Sequence, residues 1–228
     1  MHRTLPHIKI AVPEQLYQRD PDSSVIGQKI IEHSIFMIEE IGFEAYTFKK
    51  LGERIGSPES TIYRYFENKH VLLVYLISWY WSWLEYRVVL STANIDEPQL
   101  RLAKALQTIT HTVKDDTAFS HISESRLQKI VVAESAKAFL TKSVDEENKA
   151  GYFISYQRLT QRLTQMIAEI DSDFKYPKTL VTTILEGYHQ QRFFREHLSA
   201  LSDCPQDENM LSDFYNMLTF SLLHNGGK

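Results

Sequence analysis

"GSPESTIYRYFENKH", residues 56–70, sets a physical puzzle. A glycine and a Ser-Pro pair are followed at once by Tyr63, Tyr65, Phe66, Arg64 and Lys69. A buried helix has no use for the charges, and a solvated loop has none for the rings. The flanks supply an answer. Upstream, Thr47 can cap a short helix whose Phe48, Leu51 and Ile55 share one face until Gly56 ends it. Ser57-Pro58-Glu59 then opens another, with a cap hydroxyl, a proline in the first turn and a carboxylate near the dipole's positive end. In that helix Ile62 and Phe66, four apart, would anchor inward, leaving Glu59, Ser60, Tyr63 and Arg64 outside. Two short helices joined at a tight turn, braced by a preceding helix, are the helix-turn-helix arrangement. It lays its second helix in the major groove of DNA.

Composition allows this without suggesting it. The 228 residues are 43% hydrophobic and 24% charged, enough for a proper core and too apolar for disorder. Net charge is −4, so phosphate binding must come from a local patch. One cysteine, Cys204, excludes an internal disulfide and a zinc–cysteine cluster and suits a reducing, cytoplasmic setting. The N-terminus lacks the apolar run of a signal peptide, and the stretch from Val71 to Leu84 is too short to span a bilayer, so no membrane is expected.

Almost every longer segment has helical spacing, and none alternates like a strand, which predicts an all-α chain of about nine helices. Ser23 or Ser24 caps a first helix with Ile26, Ile30, Ile38 and Ile41 inward, stopped at Gly42. A long helix runs from Lys69 to about Leu90, and others are expected near 98–114, 123–141, 145–170, 177–200 and 208–223. The domains expected are an extended arm over 1–21, a helix-turn-helix domain over 22–68, and a helical domain over 69–228 for effector binding and dimerisation.

The stretch from Gly42 to Leu73 resembles the DNA-binding signature of the TetR-type transcriptional regulators. The resemblance is carried by Gly42, Thr47, Gly56, the run Thr61-Ile62-Tyr63-Arg64-Tyr65-Phe66, and Lys69. It implies that Thr47 and Lys69 meet phosphate, and that Lys49, Ser60, Thr61, Tyr63, Arg64 and Tyr65 contact bases or backbone. Glu59 stands where a lysine is common and could accept from a cytosine amino group or merely complement the helix dipole. Gly52 stands where alanine is usual, and Ser57-Pro58 where an apolar residue and then serine are usual. From Gly42 to Leu73, Lys49, Lys50, Arg54, Arg64 and Lys69 face Glu44, Glu53, Glu59 and Glu67; five against four leaves +1. Weak non-specific affinity follows, with dimeric, specific contacts carrying the binding.

The resemblance also implies an effector cavity in the C-terminal part and a dimer surface on the last two helices, about 177–223. Trp79 and Trp83 share a helical face, and with His111, Tyr152 and Tyr156 could line a pocket for an apolar or aromatic molecule. Ordinary core packing explains the same rings. Glu186 and His189 have an i, i+3 spacing seen in metal-binding bundles, but no second copy exists on another helix. The sequence therefore reads first as a ligand-responsive repressor, a homodimer on a palindromic DNA operator, with no catalytic set and no cofactor. A helical-bundle metal protein or enzyme using Glu186 and His189 is the alternative.

Overall fold

The computed structural model describes residues 9–115, 119, 121–203 and 208–225. Among them run ten α-helices and no strand: α1 Val25–Ala45, α2 Phe48–Ile55, α3 Glu59–Tyr63, α4 Lys69–Thr92, α5 Pro98–Ile109, α6 Glu124–Phe139, α7 Val144–Lys149, α8 Ile154–Ile170, α9 Pro177–His197 and α10 Glu208–Asn225. The chain forms two compact units, 1–82 with 113–155 and 83–112 with 156–228; α4 and α8 each contribute to both. Cys204 and residues 1–8 lie outside the described residues.

In the first unit, local chemistry sets the helix ends. Ser24 Oγ accepts the Gly27 N–H at 3.2 Å to start α1, and Thr47 Oγ1 accepts the Lys50 N–H at 3.2 Å to start α2. Gly42 (φ 74°) interrupts α1 and Gly56 (φ 66°) ends α2, both in a region that L side chains avoid. The inward stripe of α1 differs from expectation. Ile30, Ile31, Ile35 and Ile38 are buried, whereas Ile41, just before the kink, is 40% exposed.

The start of α3 also differs. Pro58 is the cap residue, makes no side-chain cap bond, and precedes the first turn instead of lying in it. Ser57 is occupied with the previous helix, its N–H donating to the Gly52 carbonyl at 2.9 Å. The turn consequently lies so close to α2 that a Cβ on Gly52 would stand 2.6 Å from the Ser57 carbonyl oxygen. The glycine at 52 and the Ser-Pro turn are therefore one joint departure from the usual pattern.

The span 145–170, read as one helix, is two. Gly151 at φ 85° breaks it between α7 and α8. Residues 9–23 carry two 3₁₀ turns, Glu14–Leu16 and Pro21–Ser23, with Ile10 and Leu16 buried. In the second unit α10 packs on α5 and α9. Its core includes Leu102, Leu106, Leu163, Ile184, Tyr188 and Tyr215. Glu85 is held there by Arg158 and Arg162, each at 3.0 Å.

Candidate nucleic-acid interface

α2, the Gly56 turn and α3 present a face whose residues sort by burial. Phe48, Leu51, Ile62 and Phe66 are all buried and close the back of the motif, as the spacing requires. Outward stand Thr47, Lys49, Ser60, Tyr63 and Arg64, with Glu59 and Thr61 half-buried. The Tyr63 ring meets Phe48 edge-on at 5.1 Å and is 47% exposed. Burial, then the nearby Glu59 carboxylate, pushes its phenol above the ordinary value of 10.0 and keeps it a hydrogen-bond donor.

The cations divide into two groups. Arg54 is engaged with Glu40 at 2.7 Å, and Lys50 Nζ donates to the Ala45 carbonyl at 2.8 Å. Lys69 Nζ donates to the carbonyls of Phe43, Glu44 and Tyr46 at 3.1, 3.2 and 3.2 Å, and lies 4.7 Å from the centre of the Phe43 ring. Its ammonium has three protons, and all three are used inside the protein. Lys49 and Arg64 are exposed and make no ion pair among the described residues. They are the positive charge this face offers to an anion.

Tyr65 turns inward, 1% exposed, with its hydroxyl 2.8 Å from Ser24 Oγ. Sequence reasoning did not foresee the grip on residues 43–44 from α6. Glu134 accepts the Phe43 N–H at 3.1 Å, a donor released by the kink at Gly42. Lys137 bridges Glu134 and Glu44 at 2.7 and 3.1 Å. Arg126 and Lys129 both bind Glu39. The 42–46 joint leading into α2 is thus held from both α4 and α6.

The residues expected to line an effector pocket are divided. Trp79 and Tyr152 belong to the first unit, where Trp79 is buried and meets Phe119 edge-on at 5.4 Å. Trp83, His111 and Tyr156 belong to the second. There Trp83 is buried, His111 exposed and Tyr156 half-buried, with the Tyr156 O–H donating to Glu186 at 2.8 Å. A cleft of about 460 Å³ in the second unit is lined elsewhere, by Leu100, Lys104 and Gln107 with Ser212, Asp213 and Asn216.

His189 is buried, and that burial, helped by the Arg192 charge, lowers its pKa from 6.5 to about 3. Among the described residues no three His, Cys, Asp or Glu side chains are grouped to hold a metal. Nor is any helix there long and apolar enough to cross a membrane.

Residues 30–76 match the family model described as "Bacterial regulatory proteins, tetR family". No curated protein matches the chain at a significant level. Several solved structures share its fold. AibR in complex with isovaleryl coenzyme A and operator DNA is 14% identical, with a TM-score of 0.57 over 83% of this chain and 95% of its own. Apo AibR is 11% identical, with a TM-score of 0.53 over 84% and 96%. The fatty acid degradation regulator FadR from Bacillus halodurans is 16% identical, with a TM-score of 0.56 over 87% and 94%. Over residues 30–76, the helix-turn-helix part of the chain, the protein is thus similar to the bacterial regulatory proteins of the tetR family.

Proposed function

We propose that the protein is a homodimeric repressor that reads a palindromic operator through residues 22–68 and releases it when an apolar or aromatic small molecule binds within residues 69–228. The observation that carries the reading is the outward face of α2 and α3. There Thr47, Lys49, Glu59, Ser60, Thr61, Tyr63 and Arg64 surround a sealed apolar back. Lys49 and Arg64 supply phosphate or guanine contacts, and Glu59 accepts from a cytosine amino group. Tyr65 and Lys69 act from behind, holding the motif in shape. The effector reading draws on AibR, whose structure holds isovaleryl coenzyme A together with operator DNA.

Dimerisation is supported by α10. Met210, Phe214 and Met217, spaced i, i+4 and i+7, are 43%, 44% and 63% exposed. A second copy would cover that apolar stripe and set two recognition helices about 34–36 Å apart, one turn of DNA. Selection of bound fragments from random-sequence DNA tests the proposal. A two-fold symmetric site should emerge, and Arg64→Ala should change the preferred bases at one position in each half. Recovery of no enriched sequence at low salt sinks the reading.

A further inference from the structure

We propose that the segment from Lys9 to Ser24 is a strap that positions the recognition helix, acting through Tyr65. The proposal rests on α3 being the DNA-reading element. α3 has only five residues, Glu59–Tyr63, too few to be stable alone, and its last carbonyls need partners from outside. Tyr65 lies two residues beyond; its N–H donates to the Ile62 carbonyl at 2.9 Å, while its carbonyl, hydroxyl and ring are all met by the strap.

Its carbonyl accepts the Gln18 N–H at 2.8 Å. Its hydroxyl lies 2.8 Å from Ser24 Oγ, the same oxygen that accepts the Gly27 N–H at the start of α1. Its ring lies beneath the Arg19 guanidinium, 5.4 Å from the ring centre. Tyr65, two residues after the recognition helix, is therefore fixed in position, tilt and rotation. Tyr63 and Arg64 precede it directly, so any slack at Tyr65 passes to the outward side chains.

The strap is itself anchored. Leu16 is fully buried, and Tyr17 meets Tyr75 edge-on at 6.1 Å. Asp20 binds Lys9 and accepts the Asp22 N–H at 3.0 Å. Asp22 lies 2.9 Å from His121 Nε2. Pro21 approaches α1 so closely that a Cβ on Gly27 would stand 2.2 Å from its carbonyl oxygen. A loose N-terminal arm would have none of these attachments, and a bare core plug would not need to engage the carbonyl, the hydroxyl and the ring of one residue.

The test uses full-length Tyr65→Phe and Arg19→Ala. Each removes one attachment and leaves the buried Leu16 and the apolar ring in place. Amide hydrogen exchange is measured across 59–66 without DNA, with α10 as reference. Operator affinity is then measured at several salt concentrations. Exchange across 59–66 should quicken about threefold to tenfold, the worth of one hydrogen bond, while α10 is unchanged. Affinity should fall by a similar factor, with the salt slope preserved because no phosphate contact is lost. Unchanged exchange, or an equal increase in α10, overturns the strap. A salt slope flattened by about one contact in Arg19→Ala overturns it too, by making Arg19 a phosphate ligand. If the intact protein selects no DNA, the proposed function fails, while the exchange measurement still decides whether the strap holds α3.

Discussion

Gly52→Ala sets two well-known effects against each other inside the headpiece. In a helix interior alanine is favoured over glycine by about 1 kcal/mol, and alanine is what the resemblance leads one to expect at this position. The structure opposes that gain. The new Cβ would lie 2.6 Å from the Ser57 carbonyl oxygen and 3.3 Å from the Glu59 nitrogen. Both are backbone atoms, so no change of rotamer relieves the contact. Forcing a methyl into such a space costs about 1–3 kcal/mol. Moving the turn away stretches the 2.9 Å bond from Ser57 N–H to the Gly52 carbonyl, worth about 1 kcal/mol more. The net expectation is a loss of about 1–3 kcal/mol, read as a lower denaturant midpoint with an unchanged slope. Adding Pro58→Ala, which frees the turn from its fixed φ of −58°, should recover part of the loss, so the two changes are non-additive. A Gly52→Ala protein as stable as the parent, or more stable, would refute the argument that the turn rests on residue 52.

Lys69→Met should destabilise the protein by about 1–3 kcal/mol, because three carbonyls at the end of α1 lose their donor. The salt slope of operator binding should stay as it was, and a slope flatter by about one contact would place Lys69 on phosphate instead. His189→Phe should flatten the acid side of the stability profile. The unfolded chain takes up a proton at this histidine below pH 6.5 and the folded one only at about 3. Stability thus falls with pH across that window by about 1.4 kcal/mol per unit, and unfolding measured against pH should show the variant without that slope. Met217→Glu, on the exposed stripe of α10, should weaken self-association at least tenfold by sedimentation. An unaltered assembly would move the interface elsewhere.

The helix-turn-helix was legible because its signals are short-range. Thr47 caps three residues ahead, Gly56 supplies the left-handed stop, and Ile62 and Phe66 are four apart and both fully buried. The inward turn of Tyr65, expected instead to reach DNA, had a local signal that the resemblance overrode. It lies three residues after Ile62, on the same side of a helix, while Tyr63 must face away. The break at Gly151 was marked by the glycine, which the reading of 145–170 as one helix passed over. What could not be read joins distant parts of the chain. Ser24 and Tyr65 are 41 residues apart, and Phe43 and Glu134 are 91 apart. No periodicity or cap chemistry reports such pairings, so neither the strap nor the grip of α6 on the kink had a local signal. The same holds for the buried rings of α4. Trp79, Trp81 and Trp83 are all nearly inaccessible, and helical spacing cannot separate a pocket wall from a core.

The engagement of Lys50, Arg54 and Lys69 within the protein has a kinetic consequence. Sliding along DNA depends on a mobile positive surface that neutralises phosphates regardless of sequence. On the face of α2 and α3 that surface is reduced to Lys49 and Arg64, among carboxylates at Glu44, Glu53 and Glu59. A regulator built this way spends little of its time on the genome's vast excess of irrelevant sites. As proposed here, it would find its operator mainly through repeated encounters from solution, each short unless the bases fit. Under the proposed function, fewer molecules would be sequestered on the chromosome, so a small pool of free dimer would suffice to fill one site. On that reading operator occupancy would follow the free concentration closely, and a modest loss of affinity on effector binding would empty the site without a reservoir of sliding protein to refill it.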